Sequence, residues 1–250
     1  MPSRERGVAG PTSDLFLYGD VRANFASVSE PFVKACGGKR SKIALLMLPR
    51  SRRFEGPYRD AWRKAGAGEV TAICPPRSLA LKTEHIRTLN QSTGVFMSGG
   101  PTALYQRIYG TRIVSRAIRN LYDSGVPYGG VSAGAMMACT FCQVGGSLIR
   151  TRTNEFQLGS NEFVESHRRP RPGERAGLVI RTGLGLVKDC VLQPHFAEWG
   201  LFPGLMEAMN LTGCRFGVGL DASICLEIRD RKRVLLYELA PRLNDVAHEL

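Results

Sequence analysis

The residue most suited to chemistry is a serine set among glycines. Residues 125–139, GVPYGGVSAGAMMAC, contain the pattern G-x-S-x-G with Ser132 at its centre. A serine on a sharp strand-to-helix turn has its hydroxyl lifted clear of the sheet, and small neighbours let the two backbones approach closely. The amides that follow such a serine lie at a helix N-terminus and can stabilise an oxyanion. The pattern therefore fits a nucleophile, and it also fits a plain crossover that carries an incidental serine.

A second glycine-rich segment, FMSGGPT at residues 96–102, ends an apolar run in a double glycine. In a parallel sheet its tip lies at the same C-terminal edge as Ser132, where ligands bind in open α/β folds. The amides of Gly99 or Gly100 could then complete an oxyanion hole with the amide of Ala133. The alternative is an ordinary turn.

A histidine follows the apolar run of the segment VLQPHF. His195 lies at the end of this predicted strand, with Pro194 fixing the approach. The three other histidines lie in a polar helix, in a basic loop and near the chain end: His85, His167 and His248. Of the four, only His195 is placed where a general base for Ser132 is needed.

Three segments in this order, FMSGGPTALYQ, GGVSAGAMM and GLGLVKDCVLQPHF, resemble the serine peptidases of the dipeptidase E and cyanophycinase group, peptidase family S51. The resemblance implies a fold related to class I glutamine amidotransferases, with serine in place of their nucleophilic cysteine. It also implies a Ser–His–acid triad that cleaves small peptides next to an aspartyl residue, without metal or cofactor. Carried over to this sequence, the nucleophile is Ser132, the base is His195, and the oxyanion donors are Gly99 or Gly100 together with Ala133.

Two glutamates are candidates for the acid of the triad, and another acid or none is the remaining alternative. The segment RTRTNEF resembles the Thr-Asn-Asp stretch that supplies the acid in dipeptidase E, which gives this role to Glu155. A near-duplicate, SNEF at residues 160–163, makes Glu162 a competitor. Arg150 and Arg152 flank Glu155 and are candidates for binding a substrate carboxylate, since arginine suits bidentate carboxylate recognition.

Two departures from the family pattern keep the function open. The position usually written Gly-Gly-Asn is Gly-Gly-Pro here, and Pro101 has no amide hydrogen to donate. The segment HFAEWGLFPG lacks the arginine-rich run expected after the histidine in cyanophycinases. A dipeptidase acting at aspartyl or isoaspartyl residues is the leading hypothesis. The alternatives are a cyanophycinase-like isopeptidase and a catalytically inactive binding or regulatory protein on the same fold.

The elements that position these residues follow from alternating apolar and amphipathic stretches. Strands are predicted at residues 15–19, 42–48, 69–75, 94–100 and 126–132. The intervening stretches have helical spacing, including residues 102–125, where Leu104, Ile108, Ile113, Ala117 and Leu121 approximate one apolar face. The alternation predicts an α/β fold with a mostly parallel central sheet and helices on both faces. Residues 217–239 predict a C-terminal β-hairpin with its turn at residues 229–232.

Composition describes an ordinary globular protein. Of 250 residues, 43% are hydrophobic and 22% are charged, which suffices for one domain over residues 14–250 after a disordered start at residues 1–13. The chain has no apolar run long enough for a membrane span and no signal-peptide pattern, so we expect a cytoplasmic protein. The seven cysteines are odd in number and scattered, which predicts reduced, buried thiols, including the packed pair Cys139 and Cys142.

The net charge of +12 raises the question of nucleic-acid binding. The basic residues are spread along the chain, and the densest run, residues 166–175, reads as an exposed loop because it contains prolines and a glycine. We therefore expect a small peptide substrate as the partner and no nucleic acid. Association into a homo-oligomer is compatible with the sequence.

Overall fold

The computed structural model describes residues 13–21, 24–76, 78–146, 149–151, 163–165, 178–230 and 233–238. Within these ranges the strands are β1 Leu15–Tyr18, β2 Lys42–Leu46, β3 Glu69–Ile73, β4 Gly94–Met97, β5 Tyr128–Val131, β6 Phe141–Gly146, β7 Ile149–Thr151, β8 Phe163–Glu165, β9 Leu178–Thr182, β10 Cys190–Pro194, β11 Phe216–Leu220, β12 Ile224–Arg229 and β13 Arg233–Glu238. The helices are α1 Phe25–Val28, α2 Glu30–Ala35, α3 Glu55–Lys64, α4 Thr83–Asn90, α5 Thr102–Tyr109, α6 Arg112–Asp123, α7 Ala133–Met137 and α8 Phe202–Thr212, with short 3₁₀ helices at Gly38–Arg40 and Pro49–Phe54.

A seven-stranded sheet in the order β13-β12-β1-β5-β4-β2-β3 forms the centre of the fold. The five strands from β1 to β3 in this order pair in parallel, whereas β12 pairs antiparallel with both β1 and β13. The predicted α/β architecture, its five apolar strands and the C-terminal hairpin are confirmed. The parallel pairing brings the ends of β5, β4 and β2 to one edge of the sheet.

Two hydrophobic cores cover the two faces of this sheet. Successive residues of β1 alternate between them, because side chains of a strand point to opposite faces. Leu15 and Leu17 belong to the core that α4 to α7 cover, whereas Phe16 and Tyr18 belong to the core that α1 to α3 cover. Both faces of the strands are therefore buried, which explains their uninterrupted apolar sequences.

The predicted apolar face along residues 102–125 is wrong at Ile113, whereas Leu104, Ile108, Ala117 and Leu121 pack in or against the core as predicted. Helix α5 ends at Tyr109, and Thr111 is extended with φ −60° and ψ 149° before α6 begins. This break changes the phase of the helix, so that Ile113 is 72% exposed and Val114, Ile118 and Tyr122 face the core. The pattern predicted one continuous helix because the apolar spacing happens to continue across the break.

Three further elements differ from the sequence prediction. Strand β10, which leads to His195, pairs in parallel with β11 in a separate two-stranded sheet rather than with the described strands of the central sheet. The stretch that precedes the hairpin turn was predicted as one strand, and the structure has two strands there, β11 and β12. Helix α7 ends at Met137, so the C-x-x-C pair spans a helix end and β6 rather than lying inside a helix.

The predicted burial of the thiols is confirmed for six of the seven cysteines. All seven cysteines are unpaired; six are buried and Cys74 is half-buried. Separately, among the described helices none is both long enough and apolar enough to cross a bilayer.

Candidate active site

Ser132 lies on the turn that joins β5 to α7, in a conformation that few residues other than glycine adopt. Its φ is 51° and its ψ is −111°. A side chain added at Gly130 would lie 2.5 Å from the carbonyl group of Gly134, and one added at Gly134 would overlap the carbonyl oxygen of Met97 in β4. Glycine is therefore required on both sides of the serine, because strand and helix backbones touch there. The sequence pattern correctly predicted this strained turn.

His195 approaches Ser132 from the C-terminal end of β10. The Ser132 Oγ and the His195 Nε2 are 3.1 Å apart, which is hydrogen-bonding distance. Both side chains are half-buried, and His195 also has a positive φ, 55°. The structure thus brings together the two residues that the sequence singled out as nucleophile and base.

Two carboxylates fasten the turn that follows His195 to the turn between β11 and β12. The amide of Ala197 donates to the Asp221 Oδ1 at 2.9 Å, and the amide of Ala222 donates to the Glu198 Oε1 at 2.9 Å. Asp221 reaches this position because β10 and β11 run in parallel with Pro194 opposite Leu220. The two segments therefore exchange carboxylate–amide hydrogen bonds, which are stronger than neutral ones.

An indole ring packs on the imidazole. Trp199 stacks on His195 with ring centroids 4.5 Å apart and an interplanar angle of 22°, and its amide donates to the His195 carbonyl at 3.1 Å. Trp199 and Asp221 carry no sequence signal of a site, because both act through contacts made only in the folded chain.

The double glycine between β4 and α5 lies beside the serine. A side chain added at Gly99 would meet the Ser132 Cβ at 3.3 Å. The Gly99 carbonyl accepts hydrogen bonds from the Tyr105 hydroxyl at 3.1 Å and from the Ser51 hydroxyl at 3.4 Å. The amide of Ala133 is the first of α7 and has no carbonyl within that helix to bond. The predicted oxyanion donors are thus grouped around Ser132.

A cavity of about 600 Å³ opens over these residues. Besides the serine, the histidine and the two glycines it is lined by Asp20, Val21, Arg50, Ser51, Arg53, Phe54, Pro57, Tyr58, Ser98 and Val131. Arg50 and Arg53 are exposed and lie in the 3₁₀ helix that follows β2. These two arginines were not predicted as site residues. Their segment, LPRSRRF, follows a predicted strand and contains three arginines in all, which is a signal that could have found them.

Two phenols around the cavity are buried, and burial raises the pKa of each. The pKa of Tyr58 lies well above its usual value, and that of Tyr105 rises to about 12. Burial disfavours a phenolate because the charge loses its hydration. Both hydroxyls therefore remain neutral hydrogen-bonding groups at any physiological pH.

Several predicted site residues lie outside the described residues. These are Glu155, Glu162 and Arg152, together with the basic loop at residues 166–175. The backbone of Arg150 lies in β7, and its side chain is outside the described part. The structure thus places the predicted nucleophile, base and oxyanion donors, and the roles of the two glutamates stay predictions.

A model of peptidase family S51 matches residues 24–158, just over half of the chain. The chain belongs to peptidase family S51. The match includes Ser132 and the double glycine, whereas His195 lies beyond it. The family that the sequence motifs resembled is therefore confirmed.

The chain is also similar to curated relatives and to solved structures. The chain is 26% identical over 170 residues to "Cyanophycinase" of Synechococcus elongatus and equally to that of Thermosynechococcus vestitus, and the alignment covers 67% of this chain and 46% of each relative. The chain thus spans about half the length of these curated relatives. A peptidase from an acI-B1 Actinobacterium superposes with a TM-score of 0.57 at 17% identity, covering 93% of this chain and 90% of that one. A putative peptidase E from Listeria monocytogenes gives 0.55 at 17% identity, covering 92% and 100%. These two structures share the fold.

Proposed function

We propose that this S51 protein is a serine-type exopeptidase that hydrolyses small peptides at an aspartyl or isoaspartyl residue. The observation that carries the proposal is the 3.1 Å contact between the Ser132 hydroxyl and the His195 Nε2, made at a strained strand-to-helix turn. Strained backbone of this kind occurs where the surrounding structure holds a side chain for function. Family membership supports the same assignment.

The proposed reaction proceeds through an acyl-enzyme. The His195 Nε2 takes the proton of the Ser132 hydroxyl while the Ser132 Oγ forms a bond to the carbonyl carbon of the substrate. The carbonyl oxygen becomes an oxyanion, which amides of the double glycine and of Ala133 stabilise. The protonated imidazole then gives its proton to the departing amine as the C–N bond breaks. Water repeats the cycle, releases the acyl group as a carboxylic acid and restores the serine hydroxyl.

For the supporting acid we propose Glu155, with Glu162 as its competitor. A carboxylate on the Nδ1 side of His195 would fix the imidazole tautomer and stabilise the imidazolium. Glu155→Gln should then lower kcat by about 10⁴-fold, as loss of the acid does in Ser–His–Asp enzymes, and Glu162→Gln should not. The reverse pattern would give the role to Glu162.

For substrate recognition we propose that arginines bind the carboxylate of the aspartyl side chain. The sequence favours Arg150 and Arg152 in this role, and the cavity adds Arg50 and Arg53 on its rim. Arg50→Gln and Arg53→Gln should raise KM for aspartyl peptides more than for alanyl peptides, because only the former carry the extra carboxylate. Equal effects on both peptides would leave these two arginines without a role in specificity.

A second candidate is a cyanophycinase-like isopeptidase, which the match to the cyanophycinases favours. The two candidates differ in the length of the substrate. Turnover of free aspartyl or isoaspartyl dipeptides supports the exopeptidase, whereas cleavage confined to longer aspartyl polymers supports the cyanophycinase-like isopeptidase. The seven unpaired thiols support placing either enzyme in a reducing compartment such as the cytoplasm.

The test is hydrolysis of a panel of Asp-X and β-Asp-X dipeptides by wild type, Ser132→Ala and His195→Ala. We expect each substitution to lower kcat by about 10³-fold or more. His85→Ala is the matched control, since His85 lies on α4 and accepts a hydrogen bond from the amide of Lys82. Turnover by Ser132→Ala equal to wild type would refute the mechanism. Failure of a serine-directed fluorophosphonate to label wild-type Ser132 would instead fit a non-catalytic binding protein.

A further inference from the structure

Two side-chain hydrogen bonds hold the peptide unit between Gly99 and Gly100, and both reach its carbonyl oxygen. Its carbonyl oxygen, which belongs to Gly99, accepts from the Tyr105 hydroxyl at 3.1 Å and from the Ser51 hydroxyl at 3.4 Å. Tyr105 is fully buried, so the carbonyl is directed into the wall behind the cavity. This orientation is fixed by side chains and not by regular secondary structure, because the two glycines lie between the end of β4 and the start of α5.

The direction of this carbonyl determines the direction of one amide. The described peptide bonds are all trans, and in a trans peptide the C=O and the following N–H point to opposite sides. The N–H of Gly100 therefore points away from Tyr105, and Gly100 lines the cavity together with Ser132. The Gly100 amide is therefore the one that this peptide directs toward the cavity.

Ser98, Tyr105 and the Gly99 carbonyl form a chain of hydrogen bonds. The Ser98 Oγ and the Tyr105 hydroxyl are 2.5 Å apart, and both residues are buried. A phenol has one hydrogen, and Tyr105 gives it to Gly99, so Ser98 must donate to Tyr105. Hydrogen bonds in such a chain strengthen one another, and a carbonyl that accepts strong bonds makes the N–H of its own peptide a better donor.

We infer that Tyr105, supported by Ser98, is a positioning residue for the oxyanion hole: it orients and polarises the Gly99–Gly100 peptide so that the Gly100 amide meets the developing oxyanion. This inference rests on the proposed serine-peptidase function. It assigns to two buried hydroxyls an effect on the transition state that passes through the Gly99–Gly100 peptide.

The protein contains a matched control for the test. Tyr109 stacks on Tyr105 with ring centroids 5.8 Å apart and is also fully buried. Its hydroxyl shares its one hydrogen between the carbonyls of Met47 and Ile73, whose oxygens lie at 2.7 and 2.9 Å, and does not contact Gly99. Tyr105→Phe and Tyr109→Phe therefore remove the same buried group from neighbouring places, and only the first removal touches the Gly99–Gly100 peptide.

The measurements are kcat and KM on an aspartyl dipeptide and the affinity for a peptide boronic acid, which forms a tetrahedral adduct with the serine. Loss of an oxyanion donor costs about 10²–10³-fold in kcat, so loss of its positioning should cost about tenfold. We expect Tyr105→Phe to lower kcat and boronate affinity by this same factor with KM unchanged, and Tyr109→Phe to change neither. Ser98→Ala should act in the same direction with a smaller factor, and it provides the test if Tyr105→Phe does not fold.

The outcomes separate this inference from the function on which it rests. An active wild type with Tyr105→Phe and Ser98→Ala indistinguishable from Tyr109→Phe would overturn the inference alone. A rise in KM with kcat unchanged would also overturn it, because Tyr105 would then shape only the ground-state cavity. A wild-type protein that neither hydrolyses the peptides nor reacts with a fluorophosphonate would overturn the proposed function together with the inference.

Discussion

Ser132 and His195 meet at 3.1 Å while both are held in left-handed backbone conformations, with φ values of 51° and 55°. Among the described residues five that are not glycine have a positive φ, and these two are in contact. Each such conformation costs about 1–3 kcal/mol and persists only when the surroundings enforce it. At Ser132 the surroundings that impose it are the glycines on both sides, which let strand and helix touch. After His195 they are the hydrogen bonds that the carboxylates of Asp221 and Glu198 accept from backbone amides.

The stacking of Trp199 on His195 predicts that tryptophan emission reports on this contact. The rings lie 4.5 Å apart, and the only other tryptophan, Trp62, is fully buried in α3. We expect His195→Ala to change the emission spectrum of the wild type, because it uncovers the face of the indole, and to leave the spectrum of Trp199→Phe unchanged. Identical spectra for the wild type and His195→Ala would show that the two rings are not in contact.

The hydrogen bond from Ala197 to Asp221 predicts a difference between two substitutions of the aspartate. Asp221→Ala removes the acceptor and leaves the turn after His195 held from one side only, whereas the amide oxygen of Asp221→Asn can still accept. We expect the alanine variant to lose about tenfold in kcat, since a small displacement of a catalytic group is costly, and the asparagine variant to retain most of its activity. Equal kcat values for the two variants would show that this bond does not position the histidine.

Local sequence patterns were sufficient for the central strands and for the turn that carries Ser132. Each of the five parallel strands is a short apolar run bounded by polar or glycine residues, and the turn at Ser132 requires glycines within two residues of it in the sequence. The same patterns failed at Gly110, where apolar spacing continued across a helix break that the extended backbone of Thr111 and the exposure of Ile113 reveal. The spacing of apolar residues indicates which face of a single helix is buried. It does not show where one helix ends and a second begins with a different face toward the core.

Residues that act through tertiary contacts had no such local pattern. Arg50 and Arg53 line the cavity because β2 lies two strands from β5 in the sheet, an order that the sequence does not state. Asp221 reaches the turn after His195 because β10 pairs with β11 and not with the central sheet. Tyr105 looked like one more apolar residue of a helix, and its hydroxyl acquires a role only beside the Gly99 carbonyl.

The buried phenol of Tyr105 predicts a loss of stability in alkali. Its pKa is about 12 in the folded chain against an ordinary value of 10.0, so the unfolded chain releases the proton first. The contribution is present below pH 10 and is lost as the pH rises toward 12, by about 3 kcal/mol at most. Tyr105→Phe should therefore lose less unfolding free energy than wild type between pH 9.5 and 11.5, measured by urea denaturation. Parallel curves for the two proteins would contradict the burial of this phenol.

The contact between α7 and β4 predicts a sharp contrast between two glycine substitutions. A methyl group at Gly134 would overlap the Met97 carbonyl oxygen, and neither backbone can move without shifting the turn that carries Ser132. At Gly145, in β6, an added methyl group meets nothing within 4 Å. Gly134→Ala should cost about 3 kcal/mol of unfolding free energy, whereas Gly145→Ala should change it by less than about 0.5 kcal/mol. Where Gly134→Ala still folds, its kcat should fall as well, because the serine moves relative to the amides around it. Wild-type stability in Gly134→Ala would show that strand and helix are not in contact at this point.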